Sequence, residues 1–201
     1  MESLDALLSE CEVLHGHMCA GQLLGARMAL LGCRLIGIEE PRGKDRKTLI
    51  VWVEIDRCMA DAVSAVTGVR LGKRSLKYID YGKVAATFLN TSTNEAVRVV
   101  ALETSRDLAN SRYPHIAEKR ERQFRAYREA SDTELFRVDP VMVAVSEMDL
   151  PGSPRTRVIC ARCAEGINDG RELLVAHEVL CRACANGAYY EKRGPANLEV
   201  K

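Results

Sequence analysis

Two histidines and a cysteine share one short loop of the sequence, HGHMC, from His15 to Cys19. A second cysteine, Cys58, follows a strand-like run about forty residues later. Imidazole nitrogen and thiolate sulfur are donors that zinc and other soft transition metals prefer. Cys19 and Cys58 both lie at the start of a predicted helix, where the helix dipole and free N–H groups stabilise a thiolate. Spacing alone leaves two interpretations open: a metal site, or buried cysteines beside histidines that cap neighbouring backbone.

A more specific metal signature lies further along the chain, where CARC and CRAC are separated by seventeen residues. Two C-x2-C pairs at this separation are typical of a zinc site, because thiolates three residues apart can hold neighbouring corners of a tetrahedron. Four thiolates leave no open position, so we predict a structural zinc site; redox pairs or an iron centre are the alternatives. The predicted ligands are Cys160, Cys163, Cys181 and Cys184.

Hydrophobic periodicity predicts the elements that position these residues. Helices are expected over residues 3–13, through Leu24 to Leu35, and over MADAVSAVTG with a stop at Gly68. Strands are expected at TLIVWVEID, at KVAATFLN and AVRVVAL as a hairpin, and at VDPVMVAVSEM. Residues 105–135 are predicted to form a polar, solvated helix.

Small residues form a stripe, Gly21, Gly25 and Ala29, along one face of the second predicted helix. Glycine is a poor helix former, so we expect close packing of a partner helix or a ligand to offset its cost. Cys11 and Cys33 fall on apolar helix faces and are assigned to packing.

Composition limits the classes of protein and of partner. The 29 basic and 28 acidic residues leave a formal charge of +1, so no global field favours nucleic acid or an acidic membrane. No apolar run approaches the roughly 20 residues of a membrane span, and the acidic start is unlike a secretion signal, so we expect a cytoplasmic protein without a membrane partner. The turn-rich DLPGSPR predicts a boundary between a core domain, 1–150, and a four-cysteine zinc-finger domain, 151–201.

Taken together, LHGHMCAGQLLGARM, CMADAVSAVTGVRLGKRSLKYIDYGKVAATF and the four-cysteine tail resemble the FmdE-like family of formylmethanofuran dehydrogenase proteins. The resemblance covers residues 13–90 closely and 158–190 in outline. It implies an α+β core of helices packed on a mainly antiparallel sheet, a small treble-clef or zinc-ribbon-like zinc finger, and an intertwined homodimer.

The same resemblance implies that His17, Cys19 and Cys58 form a metal-binding core site, with Asp61, Lys73, Tyr81 and Lys83 at nearby motif positions. The sequence departs from the family pattern at Ala20, where proline often follows the motif cysteine. Whether His15 or Asp61 is a further ligand stays open.

Three functional hypotheses follow. The leading one is a metal-binding protein with zinc or another transition metal at an open core site and structural zinc in the finger, linked to formylmethanofuran dehydrogenase or to molybdenum or tungsten metabolism. The first alternative is a metal-sensing regulator whose finger binds nucleic acid or a protein partner. The second is a thiol enzyme with Cys19 as nucleophile and His17 as base.

Overall fold

The computed structural model describes residues 3–193 and divides the chain into two compact units, one ending at Val145 and the other beginning at Ser146. In the first unit the helices are α1 (Leu4–His15), α2 (Ala20–Leu35), α3 (Cys58–Thr67), α4 (Thr104–Arg112), α5 (Lys119–Glu129) and α6 (Asp132–Leu135), and the strands are β1 (Leu49–Val53), β2 (Leu76–Tyr78), β3 (Ala85–Asn90), β4 (Glu95–Ala101) and β5 (Phe136–Pro140). The second unit has strands β6 (Arg157–Ile159), β7 (Gly166–Asn168), β8 (Leu173–Val175) and β9 (Glu178–Leu180), followed by helix α7 (Arg182–Asn186). No helix within residues 3–193 is long and apolar enough to cross a membrane.

The sheet of the first unit has the order β2-β1-β3-β4-β5. All pairs are antiparallel except β1 with β2. Every residue of β3 is buried, as expected for a central strand with both faces covered. The predicted α+β class, with helices packed on a mainly antiparallel sheet, is confirmed.

Helix α2 is the central helix of the first unit and packs against α1, α3, α5 and the sheet. Its small residues make this packing close. A Cβ added to Gly25 would lie 2.7 Å from the Met59 carbonyl oxygen, and one added to Gly32 would overlap the ring of Phe88. Gly21 and Gly25 of the predicted stripe therefore pack against a partner helix, α3, whereas Gly32 packs against the sheet.

The prediction of one long polar helix over residues 105–135 is wrong. The structure has three helices there, because Pro114 disfavours helical backbone at Tyr113 and a new helix begins at the Ser131 capping box. Helix α5 is also less solvated than expected, since Ala126 and Tyr127 are buried.

Two strands differ from the expected pattern. The strand predicted from VDPVMVAVSEM begins earlier, at Phe136, and ends at Pro140. One further hydrogen bond follows it, from the Val141 N–H to the Ala96 carbonyl oxygen at 3.1 Å. Strand β2 is absent from the predicted set, because its three residues are too few to show a periodic pattern. These differences lie at the two edges of the sheet.

Candidate metal centres

Two helix ends bring the first donor residues together. His15 is the last residue of α1, and Gly16 then turns the chain with a left-handed backbone at φ 88°. Glycine adopts this conformation without the steric cost that a Cβ atom imposes. After the turn, Cys19 caps α2, and its side chain makes no capping hydrogen bond. The HGHMC loop is thus short and held at both ends by helices.

His15, His17 and Cys19 form a cluster of potential metal donors. One donor atom from each residue lies within 4.8 Å of the others. The two imidazole rings are 4.7 Å apart between centroids. His15 Nδ1 lies 2.8 Å from Asp61 Oδ2, which leaves Nε2 of His15 available to a metal. We call these three residues the core donor cluster.

Cys58 lies beside the cluster but outside the group of three. It is the first residue of α3, and its side chain approaches that of Cys19 beside Gly21. Gly21 makes this approach feasible, because a Cβ added there would lie 3.3 Å from Cys58 Cβ and 3.7 Å from Cys19 Sγ. The structure therefore brings both predicted core cysteines together, and it adds His15 to the predicted histidine.

The thiol of Cys58 is not activated in the way that its position at a helix start suggested. Burial, the neighbouring Cys19 and the nearby Asp61 carboxylate raise the pKa of the Cys58 thiol above its ordinary value. Desolvation penalises the charged thiolate, and here it outweighs the effect of the helix N-terminus.

Two depressions adjoin the donor residues within the first unit. A cleft of about 740 Å³ is lined by His15, Cys58 and Asp61 together with apolar residues of β1 and β2. On the Cys19 side, a smaller depression of about 390 Å³ is lined by α5, and Arg120 Nη2 donates to the Met18 carbonyl oxygen at 3.4 Å. The donor residues thus face accessible space.

The remaining motif positions lie near the cleft rather than in the cluster. Lys73 ends a short 3-10 helix at Leu71–Lys73. Lys83 Nζ lies 5.7 Å from the centroid of the Tyr81 ring, and the backbone N–H groups of both residues donate to the Glu54 carbonyl oxygen. Cys11 and Cys33 are buried in the core, where burial raises their thiol pKa values to about 11 and about 12.

The second unit brings its four cysteines into one cluster, with all four sulfurs within 4.8 Å of one another. Cys160 and Cys163 follow β6. Cys181 is the N-cap residue of α7, and Cys184 lies within that helix. Such a cluster can hold a metal ion. His177 also belongs to this unit, but it lies outside the four-cysteine cluster and is exposed in the turn between β8 and β9.

Backbone N–H groups support the sulfurs of this second cluster. The N–H of Cys181 donates to Cys160 Sγ at 3.3 Å, and that of Cys184 donates to Cys181 Sγ at 3.4 Å. Backbone N–H groups, chiefly those of Cys163 and Cys181, lower the pKa of Cys160 to about 6. Stabilised thiolates are the form in which cysteine binds a metal.

Two arginines of the second unit are engaged in hydrogen bonds within that unit. Arg162 Nη1 donates to the Cys184 carbonyl oxygen at 2.6 Å. Arg171 pairs with Asp149 and donates to the Met148 carbonyl oxygen at 3.2 Å. These guanidinium groups stabilise loops of the unit, which reduces the basic surface open to nucleic acid.

Comparison with known proteins now identifies the family. The family model described as "FmdE, Molybdenum formylmethanofuran dehydrogenase operon" matches residues 14–137, which is more than half of the chain. The chain belongs to the FmdE family. The resemblance seen in the sequence is thereby confirmed. The matched region contains the core donor cluster and Cys58, and it ends before the four cysteines of the finger.

Two similar proteins extend this comparison. A curated relative, a "Probable S-adenosyl-L-methionine-binding protein" of Archaeoglobus fulgidus, is 36% identical over 100 residues, which are 48% of this FmdE-family chain and 26% of the relative. The chain thus spans about a quarter of that relative's length. A crystal structure of a tungsten formylmethanofuran dehydrogenase FmdE-like protein from Syntrophus aciditrophicus matches with a TM-score of 0.62 and 23% identity, over 94% of this chain and 96% of that one. This likeness shows the shared fold.

Proposed function

We propose that this FmdE-family protein binds a transition metal at the core donor cluster and a structural zinc ion at the four-cysteine cluster. The observation that carries the first part is the 4.8 Å grouping of His15, His17 and Cys19. Mixed nitrogen and sulfur donors favour zinc, with nickel, copper or iron as the other candidates. Cys58, which lies beside Gly21 with Cys19, is the fourth potential ligand.

The two sites differ in the number of positions left for other molecules. Four thiolates complete a tetrahedral shell, so the finger site is proposed to stabilise structure alone. With the three clustered donors as ligands and Cys58 unbound, one position is left for water or a ligand, as in catalytic and sensing zinc sites. The cleft beside His15 and Asp61 gives such a ligand access to the core donor cluster.

We propose that the protein acts in association with a formylmethanofuran dehydrogenase system rather than as its catalytic component. The family description supports the association. Within these 201 residues the cysteines do not show the spacing of ferredoxin-type clusters, which redox catalysis of this kind uses. An accessory role in handling a metal or a metal-bound ligand fits the open core site.

Metal content tests the proposal directly. Protein purified without added metal is expected to contain about two equivalents per chain, and Cys19→Ser to contain about one, because the finger keeps its four thiolates. Cys33→Ala is the matched control, since it removes a buried cysteine that lies in neither cluster. Plasma mass spectrometry identifies and counts the metals.

The ligand set is tested by two further variants. If the three clustered donors bind the metal, His15→Gln lowers core-metal affinity, and X-ray absorption of the wild type shows both nitrogen and sulfur neighbours. Loss of metal in Cys58→Ser but not in His15→Gln would instead assign the ligands His17, Cys19 and Cys58. About one equivalent in the wild type, unchanged by Cys19→Ser, contradicts a core metal site.

We also propose that two chains associate as a homodimer. Large apolar residues of the segment that follows β2 remain exposed in the single chain, among them Ile79 and Tyr81. A group of exposed apolar side chains is typical of a protein interface. This proposal is independent of the metal sites.

A further inference from the structure

The cleft of about 740 Å³ beside the core donor cluster contains an arginine that the metal chemistry does not use. Arg70 Nη1 donates to the carbonyl oxygens of Ser64 at 2.6 Å and Val69 at 3.0 Å, and also to the Ser64 hydroxyl. Ser64 is buried, and its hydroxyl donates to the Val69 carbonyl oxygen at 2.7 Å. The guanidinium is therefore fixed by neutral acceptors at the C-terminal end of α3.

The other side of this guanidinium is free to bind a ligand. In residues 3–193, Nε and Nη2 of Arg70 make no hydrogen bond, and no carboxylate lies at salt-bridge distance from Arg70. These two atoms present parallel N–H groups, the arrangement that binds both oxygens of a carboxylate. A fixed guanidinium loses little side-chain entropy when it binds.

The rest of the cleft determines what kind of anion fits. Val53 and Leu76 are buried apolar residues of its lining, while Leu71 and Tyr78 are more exposed. Pockets of this size that are mainly apolar with a few polar groups are typical of small-molecule sites. Asp56, Asp61 and a second arginine, Arg57, also line the cleft. The two carboxylates balance the two guanidinium groups, which disfavours a doubly charged phosphate relative to a singly charged anion.

We propose that this cleft binds a small-molecule monocarboxylate, with its carboxylate on Arg70 and its apolar body against β1 and β2. His15 and Cys58 line the same cleft, so the ligand lies beside the core donor cluster. The binding site itself does not require the metal proposed there. The ligand class is thus an organic acid with an apolar chain or ring.

The test uses hexanoate and its neutral analogue hexanamide, titrated into the full chain as purified and followed by NMR. Hexanoate is expected to bind at least about tenfold more tightly than hexanamide, because only the carboxylate pairs with Arg70. Arg70→Gln is expected to remove this preference. Arg106→Gln is the matched control, since Arg106 is an exposed residue of α4 that pairs only with Glu103 within the described chain.

A second pair of variants keeps the test valid if Arg70→Gln disturbs folding. Leu71 is 64% exposed in the cleft lining, so Leu71→Glu and Leu71→Gln are both expected to fold. The glutamate is expected to weaken hexanoate binding at least about tenfold relative to the glutamine, because it adds a negative charge near Arg70.

Cys19→Ser separates this proposal from the core metal site. Hexanoate binding that survives in Cys19→Ser supports a site on Arg70. Binding that is lost in Cys19→Ser but kept in Arg70→Gln overturns the proposal, because the carboxylate would then be a metal ligand. A dissociation constant weaker than about 10 mM for hexanoate in the wild type also overturns it.

Discussion

The imidazole of His15 links the core donor cluster to helix α3. Its Nδ1 lies 2.8 Å from Oδ2 of Asp61, although the two residues are 46 positions apart. A carboxylate that bonds one ring nitrogen of a metal-binding histidine fixes its tautomer and its orientation. In the proposed core site, Asp61 is therefore the positioning residue of His15.

Asp61→Asn is expected to weaken metal binding at the core site by about ten- to a hundredfold, the effect typical of losing such a partner. Competition with a chromogenic chelator measures the affinity. The finger site in the same sample is the internal control, because its four ligands are unchanged. An unaltered affinity at both sites would show that Asp61 does not position His15.

At Gly25, a single added Cβ atom would disturb the packing of α2 against α3. A Cβ there would lie 2.7 Å from a carbonyl oxygen and 2.9 Å from Ala62 Cβ, both on α3. Gly25→Ala is expected to lower the free energy of unfolding by about 1 to 3 kcal/mol, since steric overlap outweighs the gain in helix propensity. Gly72→Ala is the control, because nothing lies within 4 Å of its added Cβ. Urea denaturation compares the two, and equal stabilities would contradict close α2–α3 packing.

At the scale of elements, Asp132 connects the short helix α6 to α2. Its carboxylate accepts from Arg27 Nη2 and from Arg34 Nη2, each at 2.7 Å. Burial alone would raise the pKa of Asp132, but the hydrogen bonds and charges of the two arginines outweigh it and hold that pKa below its ordinary value. The ionised carboxylate therefore stabilises the folded state.

The sign of this shift predicts a pH dependence. A lowered carboxyl pKa contributes stability above the unfolded pKa of about 4, and the contribution is lost as pH falls through the lower folded value. Asp132→Asn is expected to cost about 1 to 2 kcal/mol at neutral pH. The difference from wild type should shrink below about pH 4. Glu95→Gln, at the exposed start of β4, is the control, and a difference that grows in acid would contradict the assignment.

At the scale of the whole molecule, the two units are expected to depend differently on metal. The second unit has a small apolar core of Cys160, Ile167 and Leu180, too little to stabilise a fold without further support. Metal binding supplies roughly 10 to 16 kcal/mol in comparable zinc-finger peptides. Cys163→Ser is therefore expected to unfold residues of this unit.

Trp52 provides the readout for the other unit, because it is the single tryptophan of the chain and lies in β1. In Cys163→Ser the melting curve followed by Trp52 fluorescence should be unchanged, while NMR signals of residues 146–193 lose dispersion. Retained dispersion in that region would show that the finger folds without its fourth thiolate.

The proposed homodimer is tested at the same scale. Sedimentation of the wild type is expected to give twice the chain mass. The double variant Ile79→Lys, Tyr81→Lys is expected to shift the protein toward monomer, because both apolar side chains are exposed on one segment. The exposed residue Leu174 in the second unit gives the control variant Leu174→Lys. A wild-type monomer at micromolar concentration would contradict this proposal.

Some features of this protein are determined by short stretches of sequence. The four-cysteine cluster follows from two local knuckles whose spacing already matches tetrahedral geometry, and the Gly68 stop and the hairpin of β3 and β4 follow from local turn chemistry. In each of these features the interacting residues are close in the chain and therefore close in space, so the feature can be predicted without knowledge of the fold. The break at Pro114 is local in the same way, although the helical pattern around it obscures the signal.

Only the tertiary structure decided how distant residues meet at the core site. The loop sequence showed two histidines, but the hydrogen bond of His15 to Asp61 depends on the packing of α1 against α3. The approach of Cys58 to Cys19 depends on the packing of α2 on α3 at Gly21. Similarly, Arg70 becomes a candidate ligand-binding group because Ser64 and Val69 satisfy one side of its guanidinium. Such contacts arise from packing between elements, and hydrophobic periodicity within one element does not specify which residues of another element will oppose it.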